Sequence, residues 1–520
     1  MLNRKHVLTV LAATLFLALF FTACGAGETP EPTPGPTPTP TPAPVLLPEA
    51  VESGESAPVA PTPAPEPTPE PAPVVIRETR EAVDWLGKDI FAGIEPMDER
   101  HRRWLSDLGQ FRNQLFTVHP KFSYPELAVL ARNIDMGYAF DAALVKLAGD
   151  VPGLTDFEMK MGMQRALVVF EDAHMFFTAG QGKGFVDALR YNRYPLRFQW
   201  LYDGFYLLQA QRYFAEALNL RLTAVGGMDV DAVFDIFSGF WSTENIYNAR
   251  ATFPDFLIQP DMMNALGVIN GQEASFTFTT PDGETVVILV TADYIFFHES
   301  WLSPDLSRVE DILCARAAGE MPLTHRQPEI SNWYEVLADY NLLFIRIHSF
   351  WEFDPDFVHT FHRAAATIRR HNIQRVVIDT RGNGGGGNQA YSPFFRIIAT
   401  NTPPGGLFFL IDSGTFSAAA IAAGELYSLG ATIIGSPSGQ LTDFYAYHTS
   451  TLFGHETEPF WTELYYSGYY FGPPNTFFTL SDFGINPPDL ILRPHIHIEP
   501  TIDDWVNNHD PVLAYILQRR

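Results

Sequence analysis

Leu407-Phe-Phe-Leu-Ile-Asp-Ser-Gly-Thr-Phe-Ser417-Ala-Ala-Ala-Ile-Ala-Ala-Gly-Glu-Leu426 reads as a buried strand, a glycine turn and a serine that opens an alanine-rich helix. Working outward, Leu342-Leu-Phe-Ile-Arg-Ile347, Val376-Val-Ile378 and Thr432-Ile-Ile434 are further short apolar runs, and Pro355 to Arg370 has helical periodicity. Strand and helix alternate, which predicts an α/β layer structure for the last third of the chain. A serine at the helix start can be an N-cap, its hydroxyl satisfying an orphan backbone N–H. The same position exposes a nucleophile on a tight turn, with backbone N–H groups and a positive helix end beside any oxyanion that forms. After the strand at Val376 comes Asp379-Thr-Arg-Gly-Asn-Gly-Gly-Gly-Gly387, whose glycines let N–H groups turn toward a ligand. This loop lacks the Gly-Lys-Ser/Thr ending of a phosphate loop and the spacing of a dinucleotide fingerprint, so a structural turn and an oxyanion-binding loop are the readings left.

Asp379-Thr-Arg-Gly-Asn-Gly-Gly-Gly386, Thr415-Phe-Ser-Ala-Ala-Ala420 and Gly435-Ser-Pro-Ser-Gly439 together resemble the core of the tail-specific (C-terminal processing) serine peptidases. Gly484-Ile-Asn-Pro-Pro-Asp489 and Asn508-His-Asp-Pro-Val-Leu513 extend the resemblance over about Leu342 to Leu513. It implies a ClpP/crotonase-like α/β core, Ser417 as nucleophile, and the Ala418 N–H as one oxyanion donor with a glycine N–H at Gly384 or Gly385 as the other. It implies a peptide or unstructured protein tail as substrate, with no cofactor and no metal. The family's lysine base would fall at Gln440, which cannot accept the serine proton, and Lys183 is the last lysine in the chain.

A serine hydroxyl still needs a base. Glu171-Asp-Ala-His-Met175 resembles the Asp-x-His-Thr element of a lysine-lacking branch of the family, which implies His174 as base in a serine–histidine mechanism. Asp172 shares a face with His174 if the segment is extended, and is the expected orienting acid. The other reading of His174 is a buried histidine that completes a hydrogen bond. His348 and His448 are reserves for the base. His495-Ile-His497 puts two histidines on one side of a strand without a third ligand at metal-site spacing, and reads as a packed or solvated strand face. The aromatic stretch Phe444 to Phe478 reads as hairpin packing or as the wall of an apolar peptide groove.

Toward the N-terminus, Arg4 and Lys5 precede an apolar run from Val7 to Phe21 and then Thr22-Ala-Cys24, the layout of a secretory signal. Cys24 after a small residue resembles a bacterial lipoprotein box, which implies diacylation of the Cys24 thiol; Phe21 departs from the usual leucine, and cleavage by an ordinary signal peptidase, with Cys24 a chance residue of the signal, is the other reading. Cys314 is the one other cysteine, so no intramolecular disulfide is expected in the mature chain. Glu28 to about Pro73 is rich in Pro, Thr, Ala and Glu and reads as an extended stalk. The formal net charge of −26 argues against a nucleic-acid partner.

The expected organisation is a signal peptide 1–23, an anchor cysteine and stalk 24–75, a helical N-terminal region 76–194 with His174, a PDZ-like or small β module 195–300, and the catalytic core 330–520. Pro195 to Thr291 reads as short strands and turns, with Pro281-Asp-Gly283 as a hairpin turn, and Ala166 to Thr178 as an extended stretch. The function these features imply is an exported serine peptidase, lipid-anchored on the outer face of a bacterial cytoplasmic membrane. A catalytically inactive peptide-binding lipoprotein of the same fold and a non-peptidase esterase are the alternatives.

Overall fold

The computed structural model describes residues 78–179, 192–294, 312–314, 316–327, 330–350, 355–387, 391–442, 444–453, 462–471 and 489–519. The expected signal peptide, Cys24 and the stalk lie outside them. No helix among the described residues is long and apolar enough to cross a membrane.

Apolar residues three and four apart give helix α1 (Glu99–Val118) a buried face of Trp104, Leu108, Phe111 and Leu115. That face meets α2 (Ala131–Asp150) and α3 (Asp156–Leu167), the latter opened by a Thr155–Glu158 capping box. A buried ion pair, Arg112 Nε to Asp141 Oδ1 at 2.6 Å, ties α1 to α2. The expected extended stretch from Ala166 to Thr178 is corrected here. Helix α3 runs to Leu167, a tight helical turn follows at Val168–Phe170, and Glu171 is left-handed with φ of 48°. Ala166 and Leu167 lie on the buried face of α3, and an unbroken apolar run cannot reveal by itself whether it is buried as helix or strand. Only β1 (Phe176–Ala179) is extended.

The next segment forms a sheet of β2 (Leu196–Leu201), β3 (Gly204–Gln211) and β4 (Arg221–Val225), then, after helices α4 (Val230–Ser238) and α5 (Ile246–Leu257) and a short helix at Pro260–Ala265, β5 (Glu273–Thr279) and β6 (Thr285–Thr291). Strand β7 (Ile312–Cys314) pairs with β3, giving the order β7-β3-β4-β5-β6, with β2 also on β3. The β5–β6 hairpin closes through Gly283 at φ of 85°, with Gly283 N–H donating to the Thr280 carbonyl at 3.0 Å. The helices α4 and α5 replace part of what the sequence suggested was all strand and turn. Phe237 of α4 and Phe253 and Phe256 of α5, the latter two one helical turn apart, are buried in one core with the sheet, and this packing overrides their strand propensity.

The last third is the expected α/β core. Strands β8 (Asn332–Leu337) and β9 (Leu342–Ile347) lead through α6 (Pro355–His371) to β10 (Arg375–Asp379), and through α7 (Ser392–Asn401) to β11 (Leu407–Ile411). Then come α8 (Ala418–Ser428) and β12 (Thr432–Gly435), a hairpin of β13 (Phe444–Phe453) and β14 (Thr462–Phe471), β15 (Ile496–His497) and α9 (Pro511–Gln518). The sheet order is β8-β9-β10-β11-β12-β15, with β8 antiparallel to β9 and the rest parallel. Burial on both faces explains the continuous apolar runs that made these strands legible.

Two of the quoted sequence segments meet at the end of β10. Arg381 donates to Asp379 (Nη2 to Oδ2, 2.8 Å) and to Asp510 (Nη1 to Oδ1, 3.0 Å; Nη2 to Oδ2, 2.7 Å), while Asp510 also caps α9. Burial opposes ionisation of Asp379, but the charges of Arg381 and Arg346 outweigh it and hold the carboxyl far below the usual range. Removing one partner would strand a buried charge. Arg381→Ala is therefore expected to lower the unfolding free energy by about 3 kcal/mol in urea denaturation at neutral pH, and a loss within about 0.5 kcal/mol of zero would show the network is not structural.

Candidate active site

Ser417 stands between β11 and α8 at φ of 51° and ψ of −122°, and its side chain makes no capping hydrogen bond. The simple N-cap reading therefore does not describe it. A non-glycine residue in this region is strained by about 1–3 kcal/mol and persists where its surroundings fix it. Phe416 N–H donates to the Asn383 carbonyl (3.1 Å) and Ser417 N–H donates to Gln440 Oε1 (2.8 Å). The glycine-rich loop closes against the same turn. A Cβ placed on Gly385 would lie 2.7 Å from Ser417 Cβ and 2.9 Å from Ala418 N, so only glycine permits this approach. Asp412 Oδ1 adds a tie by accepting from Gly382 N–H (2.8 Å) and Gly414 N–H (3.0 Å).

Of the oxyanion donors singled out in the sequence, the Ala418 N–H belongs to the first turn of α8, where helix N–H groups lack intrahelical acceptors. Gly384 is exposed on the adjoining loop. The Gly385 N–H donates to Asn383 Oδ1 at 2.8 Å, and Asn383 is itself held by the Ile347 carbonyl at 3.1 Å.

His174 reaches this turn from the helical half because β1, starting two residues later, pairs antiparallel with β14, which pairs with β13. The imidazole stacks on Phe416, the residue before Ser417, with ring centroids 4.6 Å apart, and lies near-parallel to Phe444 at 6.0 Å. Its Nδ1 is 3.8 Å from Asp172 Oδ1 and 3.8 Å from Glu244 Oε1. Asp172 is on a turn, not on a strand face. It points at the ring because its Oδ1 accepts from the His174 N–H (2.9 Å).

Asp172 is fully buried and fixed on its other side by His119, with Nε2 3.1 Å from Oδ2. The Lys121 backbone N–H donates to His119 Nδ1 (3.2 Å), so His119 carries its proton on Nε2 and donates it to Asp172. Burial would raise the Asp172 carboxyl, yet the hydrogen bond and charge of His119, with His174 and Lys121, bring it below its ordinary value. Glu244 goes the other way: burial pushes its carboxyl up, against the pull of His174.

Sequence reasoning missed Glu244. It lies far along the chain from His174 and in no motif, so nothing local marked it. Its Oε2 accepts from the Leu441 N–H (3.0 Å) and from Gln440 Nε2, while neighbouring Ser242 Oγ accepts from the Asp172 N–H (3.0 Å). Among the described residues, Asp172, His174 and Glu244 are the group whose ligand atoms gather within 4.8 Å, the spacing a divalent cation would need.

The reserve histidines are placed elsewhere or not described. His348 Nδ1 is 3.1 Å from Arg346 Nη2, and burial together with the Arg346 charge pushes its pKa down to about 4, leaving it a poor base. His448 belongs to β13, and its side chain lies outside the described residues. His495 Nδ1 accepts from the Ile433 N–H (2.9 Å) and His497 Nε2 sits 2.6 Å from Glu499 Oε1, so each of this pair has a structural contact. Phe444 is buried, and residues 454–461 and 472–478 of the aromatic stretch lie outside the described residues. A cavity of about 960 Å³ borders the turn before Ser417, lined by Trp200 of β2, Arg250 of α5, Ser413 and Gly414.

No protein-family model matches the sequence, and no curated protein matches it. Solved structures do. Mature CPAF superposes with a TM-score of 0.54 at 13% identity, covering 81% of this chain and 96% of that one. The chain carries the fold of mature CPAF. The complex of mature CPAF with lactacystin gives a TM-score of 0.52 at 12% identity, covering 81% of this chain and 97% of that one. The photosystem II D1 C-terminal processing protease matches at a TM-score of 0.35 and 12% identity over 78% of this chain and 94% of its own, too distant to carry weight.

Behind the site, the Lys121 side chain donates to the Phe170 carbonyl oxygen, and burial pushes its pKa down to about 8. An unfolded lysine titrates near about 10.4. Between about pH 8 and about pH 10.4 the unfolded chain binds more protons, so unfolding free energy rises with pH across that window. Urea unfolding of the wild type and of Lys121→Met at about pH 7.5 and about pH 10 tests this: the wild type should gain relative to the variant, and parallel behaviour would refute the buried-lysine assignment.

Proposed function

We propose that this chain is an exported serine peptidase that cleaves peptides or unstructured protein tails through a serine–histidine mechanism. The observation that supports it most is the His174 ring stacked on Phe416, its Nδ1 flanked by two buried carboxylates, beside a serine whose hydroxyl is not spent on capping. The fold shared with mature CPAF is consistent with it.

In this reading Ser417 Oγ attacks the scissile carbonyl while His174 takes its proton and then returns it to the leaving amine. The Ala418 N–H, with a glycine N–H at Gly384 or Gly385, stabilises the oxyanion. Because Gly385 already donates to Asn383, Gly384 is the better placed of the two. Water then repeats the sequence on the acyl-enzyme. Asp172, held ionised, keeps the proton of the neutral ring on Nδ1 and favours the imidazolium. A PDZ-like module would bind an extended chain by adding it as a strand to an open sheet edge. Cys24 would be the lipid-anchor residue, with the stalk holding the folded body off the outer face of a bacterial membrane.

Labelling with a fluorophosphonate probe tests the chemistry. The wild type should label, Ser417→Ala should not, His174→Ala should slow labelling by roughly 10³-fold and Asp172→Asn by about 10²-fold or more. If the wild type stays unlabelled where a control hydrolase reacts, the inactive peptide-binding reading takes over. Metabolic incorporation of an alkyne fatty acid tests the anchor: Cys24→Ser should abolish the label and release the protein from the membrane fraction, and unchanged partitioning would defeat the lipoprotein assignment.

A further inference from the structure

Gln440 occupies the position where the family resemblance would put a lysine, and both ends of its amide are used. Oε1 accepts from the Ser417 N–H at 2.8 Å, and Nε2 donates to Glu244 Oε2. The partners fix the amide orientation, because an N–H needs the oxygen and a carboxylate needs the nitrogen. The residue is fully buried, its own N–H donates to Ser438 Oγ (3.0 Å), and that hydroxyl donates to the Thr415 carbonyl (2.6 Å), two residues before the serine. Asn245 fastens the same segment from the Glu244 side, its Nδ2 lying 3.2 Å from both the Ser438 and Gly439 carbonyls.

We propose that Gln440 is a positioning residue for the reaction: one amide holds the backbone of Ser417 and, through Glu244, presents a carboxylate to His174. The inference rests on the serine–histidine reading above and assigns Gln440 the task of setting the nucleophile and the base in one frame. A lysine could not do this, since it has no acceptor for the Ser417 N–H. An amide has both an acceptor and a donor, and does not ionise against Glu244. The residue is thus fitted to this site rather than left over from a lost base.

Gln440→Glu separates this role from simple packing, because it is nearly isosteric but titratable. With one proton shared between the introduced carboxyl and Glu244, an oxygen still accepts from Ser417 and an O–H still bridges to Glu244. When both ionise, the two carboxylates repel and the link breaks. The groups facing this pair are His174 and Asp172 on the turn before β1, and Lys121 in the segment after α1.

Fluorophosphonate labelling rates would be measured for the wild type, Gln440→Glu and Gln440→Ala between about pH 5.5 and about pH 8.5. Each variant is taken as a ratio to wild type at the same pH. The Gln440→Glu ratio should fall about tenfold or more with rising pH, and the Gln440→Ala ratio should be low and flat. A flat Gln440→Glu ratio, or a Gln440→Ala rate equal to wild type, overturns the proposal. Hydrogen exchange at the Ser417 amide gives a readout that needs no reactivity: Gln440→Ala should exchange there about tenfold faster. Faster exchange together with an unlabelled wild type would sink the hydrolase reading while leaving the clamp on Ser417, whereas unchanged exchange would sink the clamp itself.

Discussion

The buried carboxylate of Glu244 constrains the whole site. Its side chain is 2% exposed, and taking a carboxylate out of water costs several kcal/mol unless hydrogen bonds and charge offset it. The offsets come from two distant places in the chain: Gln440 Nε2 and the adjacent Leu441 N–H on one oxygen, and the His174 ring facing the other. Glu244 is therefore compatible with burial only when the helical half, the β module and the α/β core are packed together. The same short loop supplies Ser242 to Asp172 and Asn245 to the Ser438–Gly439 segment, so the parts of the molecule meet at a hydrogen-bonded polar junction rather than at a purely apolar seam.

A second constraint acts on the backbone. Ser417 holds a positive φ that side-chain residues avoid, and the strain is countered by the Gln440 amide, the Asn383 carbonyl behind Phe416 and the close approach of Gly385. These ties converge from the loop after β10 and the segment after β12, the neighbours of β11 on either side. A parallel sheet thereby becomes a jig, because strands in fixed register deliver their C-terminal loops to one place. Arg381 clamps the first of those loops to the start of α9 through Asp510, which explains why two segments 129 residues apart carry parts of one sequence signature.

The arrangement around His174 is layered. Phe416 and Phe444 set the plane of the ring, Asp172 and Glu244 face its Nδ1, and His119 fixes Asp172 from behind. The two carboxyls are pushed in opposite directions, Asp172 toward ionisation by its hydrogen bonds and Glu244 toward protonation by burial. Two acids against one imidazole thus need not both carry full charge.

The strands from Leu342 to Ile434, the alanine-rich helix and the serine that opens it were legible in the sequence, because doubly buried strands require unbroken apolar runs and a strand–turn–helix joint requires glycine and small residues. The pairing of His174 with Asp172 was also readable, being two residues apart, although through a turn and not the extended face expected. Helices α4 and α5 were hidden because aromatic residues favour strands in isolation and sit in helices here by packing. The contacts of Glu244 and His119 and the two-ended hydrogen bonding of Gln440 could come only from the tertiary structure. A buried polar group takes its meaning from partners 53 to 196 residues away, and local periodicity carries no information about which distant hydrogen bonds will offset its desolvation.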